Sequence, residues 1–312
     1  MNPLVSIVIP VYNCREWIKG CLESILGQSY RNIEVLVTDD GSSDGSGDIC
    51  DRIAVSDNRV KVFHQENGGV NAARRKGVAN ASGEWLMFVD ADDTVPLDCV
   101  ESYMSLVRAG TKIVVSGYRD GTIPADEYCL KLMSGEIRPA PWGKFFLAEH
   151  FKANEPFLER QLVMGEDLII NLLVGMDASE VVCTSGLLYN VNSRNAASVT
   201  KTFKHTWEYE KYYFRTMFGK VVCRFEQTPV HEQFLMLVRK SQLNGIKYVM
   251  LDGNKVDYND PEFKELEKFF SVRRGSLGMS ERLIFSLKNA FLYRTAIATY
   301  LRIKSVLGHT TE

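Results

Sequence analysis

Four short runs of apolar, largely β-branched or aromatic residues in the first 93 positions each lead into a polar or acidic cluster. No other feature constrains the fold as much. VSIVIPV (5–11) leads into Tyr12-Asn13, and NIEVLVTDD (32–40) ends in Asp39-Asp40 before Gly41-Ser42-Ser43-Asp44. VKVFHQ (60–65) precedes Glu66-Asn67-Gly68-Gly69, and EWLMFVD (84–90) runs into Ala91-Asp92-Asp93. The unbroken apolar character of the first run suits a strand covered on both faces. Between the runs lie helical patterns. In the first, Trp17, Ile18, Cys21, Leu22, Ile25 and Leu26 repeat every three to four residues. A second helix is expected over 70–80, and another near Pro96, a suitable first-turn proline. KIVVSGY (112–118) reads as a fifth strand. This β-α-β-α rhythm predicts an α/β fold with a Rossmann-like, mostly parallel central sheet flanked by helices.

The rest of the chain is less regular. Residues 119–141 carry Gly121, Pro124, Gly135, Pro139 and Pro141 and read as a loop or hairpin insertion. Residues 142–152 and 166–176 read as helices and LLYNV (187–191) as a short strand, with a helical C-terminal extension from about 203, broken by the polar stretch 253–262. At 312 residues and net charge -2, the chain lacks the overall basic charge expected of a nucleic-acid binder. It shows no signal-peptide pattern and no run of roughly 18 charge-poor apolar residues. The seven cysteines are scattered without a CxxC pair, which favours reduced thiols and a cytoplasmic protein. From Ser280 to Leu307 a largely apolar stripe of Leu283, Ile284, Leu287, Ala290, Phe291, Arg294, Ile297 and Leu301 is accompanied by Arg282, Lys288, Arg302 and Lys304. Such a helix can lie on an anionic membrane surface, dock on its own domain, or form a homodimer.

In a parallel α/β sheet, ligands bind beyond the carboxyl ends of the strands. All four polar clusters would meet there. Crowded carboxylates take up protons or hold a cation, and oxygen donors suit Mg2+ or Mn2+ better than zinc. Magnesium is commonly shared between one or two carboxylates and a substrate phosphate. That chemistry points to a phosphorylated, nucleotide-containing substrate. No GxxxxGK[ST] loop is present, and no GxGxxG follows the first strand.

The segments VSIVIPVYN, VLVTDDGSSDGS, ENGGVNAARRKGVANASGEWLMFVDADD and MGEDLIIN together resemble the family 2 glycosyltransferases of GT-A fold. The likeness is close over residues 4 to about 118, looser to about 200 and absent beyond. It implies a glycosyltransferase domain at 1–200, with a donor-binding half (1–118) and an acceptor-side half (119–200), followed by the helical region 201–312. On this resemblance Pro10, Val11, Tyr12 and Asp40 would line the donor site, with Asp40 accepting a hydrogen bond from the base. Asp90 and Ala91 would approach the ribose or sugar, Asp92 would bind the metal, and Arg74 would lie in the donor region. Glu166 and Asp167 match the pair that opens the acceptor-side helix, with Asp167 as catalytic base. Arg194 and Ser198 resemble a later segment that can fold over the diphosphate. Trp142 and Lys144 resemble the family's WNK segment, with Gly143 in place of Asn. The QxxRW motif of processive members is absent.

The resemblance therefore implies an inverting enzyme that uses Mn2+ or Mg2+. It would transfer a single sugar from a nucleotide-diphosphate sugar, by resemblance a UDP-sugar, to a glycan or lipid-linked acceptor in cell-surface polysaccharide biosynthesis. Two other readings are a donor-binding protein of the same fold that no longer transfers sugar, and a nucleotidyltransferase. The latter expects a Gly-rich basic loop after the first strand, and PVYNCREW is not one. Simpler roles compete at single positions. Asp44 and Asp93 read as helix caps. His64, His150, His205 and His231 read as ordinary, partly exposed residues.

Overall fold

The computed structural model describes residues 2–154, 159–195, 202–287 and 291–298. It forms two compact units, Met1–Lys201 and Thr202–Glu312. The first is built on an eight-stranded sheet. Its strands are β1 (Val5–Val11), β2 (Ile33–Asp39), β3 (Val60–His64), β4 (Trp85–Phe88), β5 (Ile113–Val115), β6 (Gly121–Pro124), β7 (Lys144–Leu147) and β8 (Glu180–Cys183), in the order β3-β2-β1-β4-β7-β5-β8-β6. β1 to β4 are mutually parallel, so their carboxyl ends share one edge. β7 enters antiparallel between β4 and β5, β8 pairs parallel with β5, and β6 closes the far edge antiparallel to β8.

The helices of this unit are α1 (Ile18–Leu26), α2 (Ser46–Ser56), α3 (Val70–Ala79), α4 (Cys99–Leu106), α5 (Ala125–Ser134), α6 (Ala148–Ala153) and α7 (Glu166–Met176). α3 packs unusually close to β1. A Cβ on Gly77 would stand 2.5 Å from Val8 Cγ1, so only glycine permits this approach. The contact matters for function because α3 also carries Arg74.

Three local expectations are corrected, and one strand is added. Residues 119–141 are not a loop or hairpin insertion: they contain β6 and the ten-residue α5. Pro124 stands at the N-cap of α5 and Gly135, at φ 79°, ends it, so the breakers punctuate the helix rather than forbid it. Residues 142–152 are not one helix. Lys144–Leu147 is a strand, drawn into the sheet where Phe145 stacks between Trp85 (4.9 Å) and Tyr103 (5.1 Å). Such ring pairs add about 0.5–1.5 kcal/mol each beyond their area, enough to override a short helical pattern. LLYNV is not a strand and contributes only an isolated bridge from Asn190 to Thr94. Finally, 180–183, which the sequence reading missed, is strand β8.

The second unit is helical in its described residues, with helices at Trp207–Met217, His231–Leu251, Pro261–Ser271 and Met279–Leu287, and further helix over 291–298. Asp260 caps the third by accepting from Glu262 N, ahead of a first-turn proline. The core of this unit gathers Trp207, Leu243, Ile246, Phe263, Phe270, Ile284, Tyr293 and Ile297. Ile284 and Ile297 of the C-terminal stripe therefore face inward, whereas Ala290 and Leu301 lie outside the described residues. Among the described residues no helix is long and apolar enough to cross a membrane.

Candidate active site

The carboxyl ends of β1, β2 and β4, the start of α3 and the start of α7 enclose a cavity of about 480 Å³. Pro10, Val11, Tyr12, Asp40, Arg74, Asp90, Ala91, Asp92, Glu166 and Asp167 all line it. Arg194 does not line it, and Ser198 lies outside the described residues. Residues from sequence positions 10 to 167 converge because parallel strands deliver their C-terminal loops to one edge.

Arg74 is the hub. It is 3 % exposed; Nη1 donates to Asp167 Oδ1 at 2.8 Å and Nη2 to Asp90 Oδ1 at 3.0 Å. One guanidinium thus links the tip of β4 to the first turn of α7. Burial pushes the Glu166 carboxyl up to about 7, and the neighbouring Asp167 charge adds to this against the pull of Arg74. Asp167 is also raised, by burial first and by Asp90, with Arg74 and Lys144 opposing. Its side chain keeps 27 % exposure, so its pairing with Arg74 matters more than enclosure alone suggests. A carboxylate whose proton affinity is raised is a better general base.

Asp40 is nearly buried and pinned by its own loop, accepting from Gln65 Nε2 (2.7 Å), Gly68 N (2.7 Å) and Gly69 N (2.8 Å). Three of its roughly four acceptor sites are used, which fixes its orientation and leaves about one for a ligand. Tyr12, by contrast, presents a half-exposed ring at the cavity mouth.

The loop after β4 separates its carboxylates by role. Asp92 Oδ2 accepts from Asn195 Nδ2 at 2.8 Å. Asp93 does not cap α4. It accepts from Tyr189 Oη (2.8 Å) and Asn192 N (2.6 Å), while Tyr189 Oη in turn accepts from Asp90 N (3.0 Å). Burial pushes Asp93 up to about 6. Tyr189 thus braces the whole Asp90–Asp93 turn. The sequence reading missed it, because LLYNV reads as an ordinary strand. Asn195 and Arg160 were missed as well; Arg160 donates to Oδ1 of Asn67, a member of the polar cluster after β3, at 3.0 Å across the cavity wall.

The PWGKFF segment supports the site from below. Lys144 is buried and donates to Arg138 O (2.6 Å) and Ala140 O (2.5 Å); burial lowers it to about 7, opposed by the Asp167 charge. Asn171 binds Pro139 O and Asp167 O, tying the same segment to α7. Gly143 has φ 69°, a left-handed conformation that glycine and asparagine both tolerate, which explains why Gly can stand where the resemblance expects Asn. Asp44 accepts from Ser46 N in the first turn of α2 and from Arg15 N in the loop before α1. His150 is buried against Val174 O rather than partly exposed.

His64, at the end of β3, bonds Asp39 (2.9 Å) and Asp51 (3.2 Å), and the bond to Asp39 leads in raising its pKa. A raised histidine contributes stability that is complete below its unfolded value of about 6.5 and is lost as pH rises through the folded value. Urea denaturation of His64→Gln and the wild type should therefore differ most at pH 5.5 and least at pH 8.5. The opposite order would contradict the pairing.

The fit of a divalent cation rests on the donor set. Asp40, Asp90, Asp92, Glu166 and Asp167 line the cavity against two arginines, Arg74 and Arg160. An incoming diphosphate would meet net negative charge unless a cation came with it. Asp92 keeps Oδ1 without a hydrogen bond among the described residues. No cluster of three or more metal-binding side chains occurs among those residues. An open oxygen site of one or two carboxylates completed by substrate phosphate fits Mg2+ or Mn2+, and this donor set fits that group.

The first unit has the architecture of the GT-A glycosyltransferases. Solved relatives show the fold: S. aureus TarS 1-349 in complex with UDP-GlcNAc has a TM-score of 0.69 at 17% identity, covering 96% of this chain and 92% of that one. The mannosyltransferase PcManGT from Pyrobaculum calidifontis, in complex with GDP-Man and Mn2+, has a TM-score of 0.56 at 18% identity, covering 98% of this chain and 87% of that one. Residues 6–154 match the family model of glycosyl transferase family 2, so this segment is similar to that family. Over 120 residues it is 42% identical to glycosyltransferase GlyG of Streptococcus pneumoniae serotype 4, a match that covers 38% of this chain and 40% of that protein. The chain spans less than half the length of the three curated relatives GlyG, EpsH and GlyA that it matches.

Proposed function

We propose that the chain is an inverting, metal-dependent glycosyltransferase. It moves a single sugar, a hexose-type unit, from a nucleotide-diphosphate sugar to a hydroxyl of a glycan or lipid-linked acceptor, in the assembly of a cell-surface polysaccharide. The observation that carries the reading is the convergence of ten expected residues on one cavity, with Arg74 clamped between Asp90 and Asp167. UDP is the favoured nucleotide, supported by the UDP-GlcNAc held by a protein of the same fold.

In this reading the base rests against Tyr12 and Val11, within reach of Asp40, while Asp90 and Ala91 approach the ribose or sugar. Asp92 would hold the cation, which when bound stabilises negative charge on the departing diphosphate. Mn2+ is supported as a candidate by its presence beside GDP-Man in a protein of the same fold. Asp167 takes the proton from the acceptor hydroxyl. The hydroxyl oxygen then bonds to the anomeric carbon as the bond from that carbon to the diphosphate oxygen breaks. With base and leaving group on opposite faces, the anomeric centre inverts. Arg74 keeps the Asp167 carboxylate aimed and limits its proton affinity. Glu166, with its carboxyl near 7, adds acceptor-side polarity beside it. Arg194 and Ser198 are assigned to a segment that covers the diphosphate. Donor-only hydrolysis across a panel of nucleotide sugars tests the proposal, with release of nucleoside diphosphate expected from at least one.

A further inference from the structure

The second unit presents a surface that the transfer chemistry does not use. Val272 is 80 % exposed, Met279 60 %, Phe291 75 % and Leu292 50 %. Large apolar side chains concentrated in one short stretch and left in water mark an interaction surface. Phe291 belongs to the C-terminal stripe read from the sequence, whose Ile284 and Ile297 are spent on the core; Val272, Met279 and Leu292 lie outside that stripe.

The charge of this stretch is one-sided. Residues 272–294 contain Arg273, Arg274, Arg282, Lys288 and Arg294 against a single acid, Glu281. Glu281 has no ion-pair partner among the described residues and accepts from Gly278 N at 2.6 Å, while Arg273 has Glu232 at 3.6 Å. Arg274 and Arg282 line one cavity of about 420 Å³ with Ser271 and Ser286, over a floor of Phe270, Leu277 and Phe285. Arg282 Nε donates to Leu277 O at 3.0 Å, which holds the guanidinium at the rim. Neither arginine has a carboxylate partner among the described residues. Glu267, on the same rim, has Lys264 at 3.9 Å.

Two guanidinium groups beside an aromatic and aliphatic lining form a receptor for a phosphate that carries an apolar tail, while the hydroxyls of Ser271 and Ser286 donate to Lys268 O and Arg282 O. With exposed apolar side chains in the same stretch, the matching partner is a bilayer rather than a soluble anion. We propose that this face docks on an anionic phospholipid membrane. A lipid phosphate sits between Arg274 and Arg282, and Val272, Met279, Phe291 and Leu292 enter the interface.

The test is sedimentation of the full chain with vesicles of phosphatidylcholine alone and of phosphatidylcholine mixed with phosphatidylglycerol. Binding only to the mixed vesicles is expected. R274Q/R282Q should weaken that binding by about 10- to 30-fold, given roughly a tenfold factor or less per surface arginine. A second variant, V272S/F291S, keeps every charge and should also weaken it. Circular dichroism melts confirm that both variants fold, as expected for changes at exposed positions. Millimolar inorganic phosphate should leave the wild-type melting temperature unchanged. Equal binding to neutral vesicles, undiminished binding by R274Q/R282Q, or a phosphate-induced rise in melting temperature that this double variant abolishes would each overturn the proposal. So would a wild-type dimer that V272S/F291S converts to monomer, since the face would then belong to a second copy of the chain.

Discussion

Asp167→Asn is expected to lower transfer by about 100- to 10,000-fold, the usual worth of a positioned general base, while donor affinity stays near that of the wild type. The amide is nearly isosteric and can still accept from Arg74 Nη1 through its oxygen, so the 2.8 Å contact survives. What is lost is the capacity to take a proton. Single-turnover assays alongside titration of the nucleoside diphosphate separate the two effects. Near-normal turnover would place the base elsewhere, and a parallel fall in donor affinity would make Asp167 a donor-site residue instead.

The second large effect is expected at Asp92→Ala. The wild type should bind the nucleoside diphosphate more tightly with Mn2+ than without it, and the variant should lose that gain entirely. Its metal-free affinity should hold or rise slightly, because one carboxylate has left an acidic cavity. Among the described residues the substitution removes one hydrogen bond, from Asn195, so the fold should persist. Equal enhancement by Mn2+ in both proteins would remove Asp92 from the metal site.

Much of this site was legible in the sequence because it is built from strand ends. An apolar run fixes a strand, a parallel rhythm fixes its direction, and the residues after it must then lie at the shared edge. That logic brings Val11, Asp40, Asp90 and Asp92 together without coordinates. Helix α7 was legible for a different reason, since an acidic pair opens an apolar helix at Glu166. The second half of the sheet was not legible. β7 is four residues long and follows a glycine in a left-handed conformation, and its place between β4 and β5 depends on Trp85 and Tyr103, which are distant in sequence. β8 has no periodicity of its own within four residues.

The supporting contacts were also hidden. Nothing local marks Tyr189 as the brace of the Asp90–Asp93 turn, because its two bonds reach back 99 and 96 positions. The double ion pair of Arg74 was hidden too. The sequence placed this arginine near the donor, but only the close approach of α3 to β1 through Gly77 sets its guanidinium between two carboxylates. The apolar stripe of the tail illustrates the reverse problem. Its period is real, yet the same period serves a helix that packs inward, and Ile284 and Ile297 do so.

The central claim is that this acidic cavity activates a nucleotide-diphosphate sugar with the help of a divalent cation. Its most direct test is a panel of UDP-, GDP- and dTDP-sugars incubated with the protein and no acceptor, with Mn2+ or with chelator, while released nucleoside diphosphate is measured. The account predicts slow release from one donor or a small group of donors, abolished by chelation. No release from any donor, or release that chelation leaves unchanged, would contradict it.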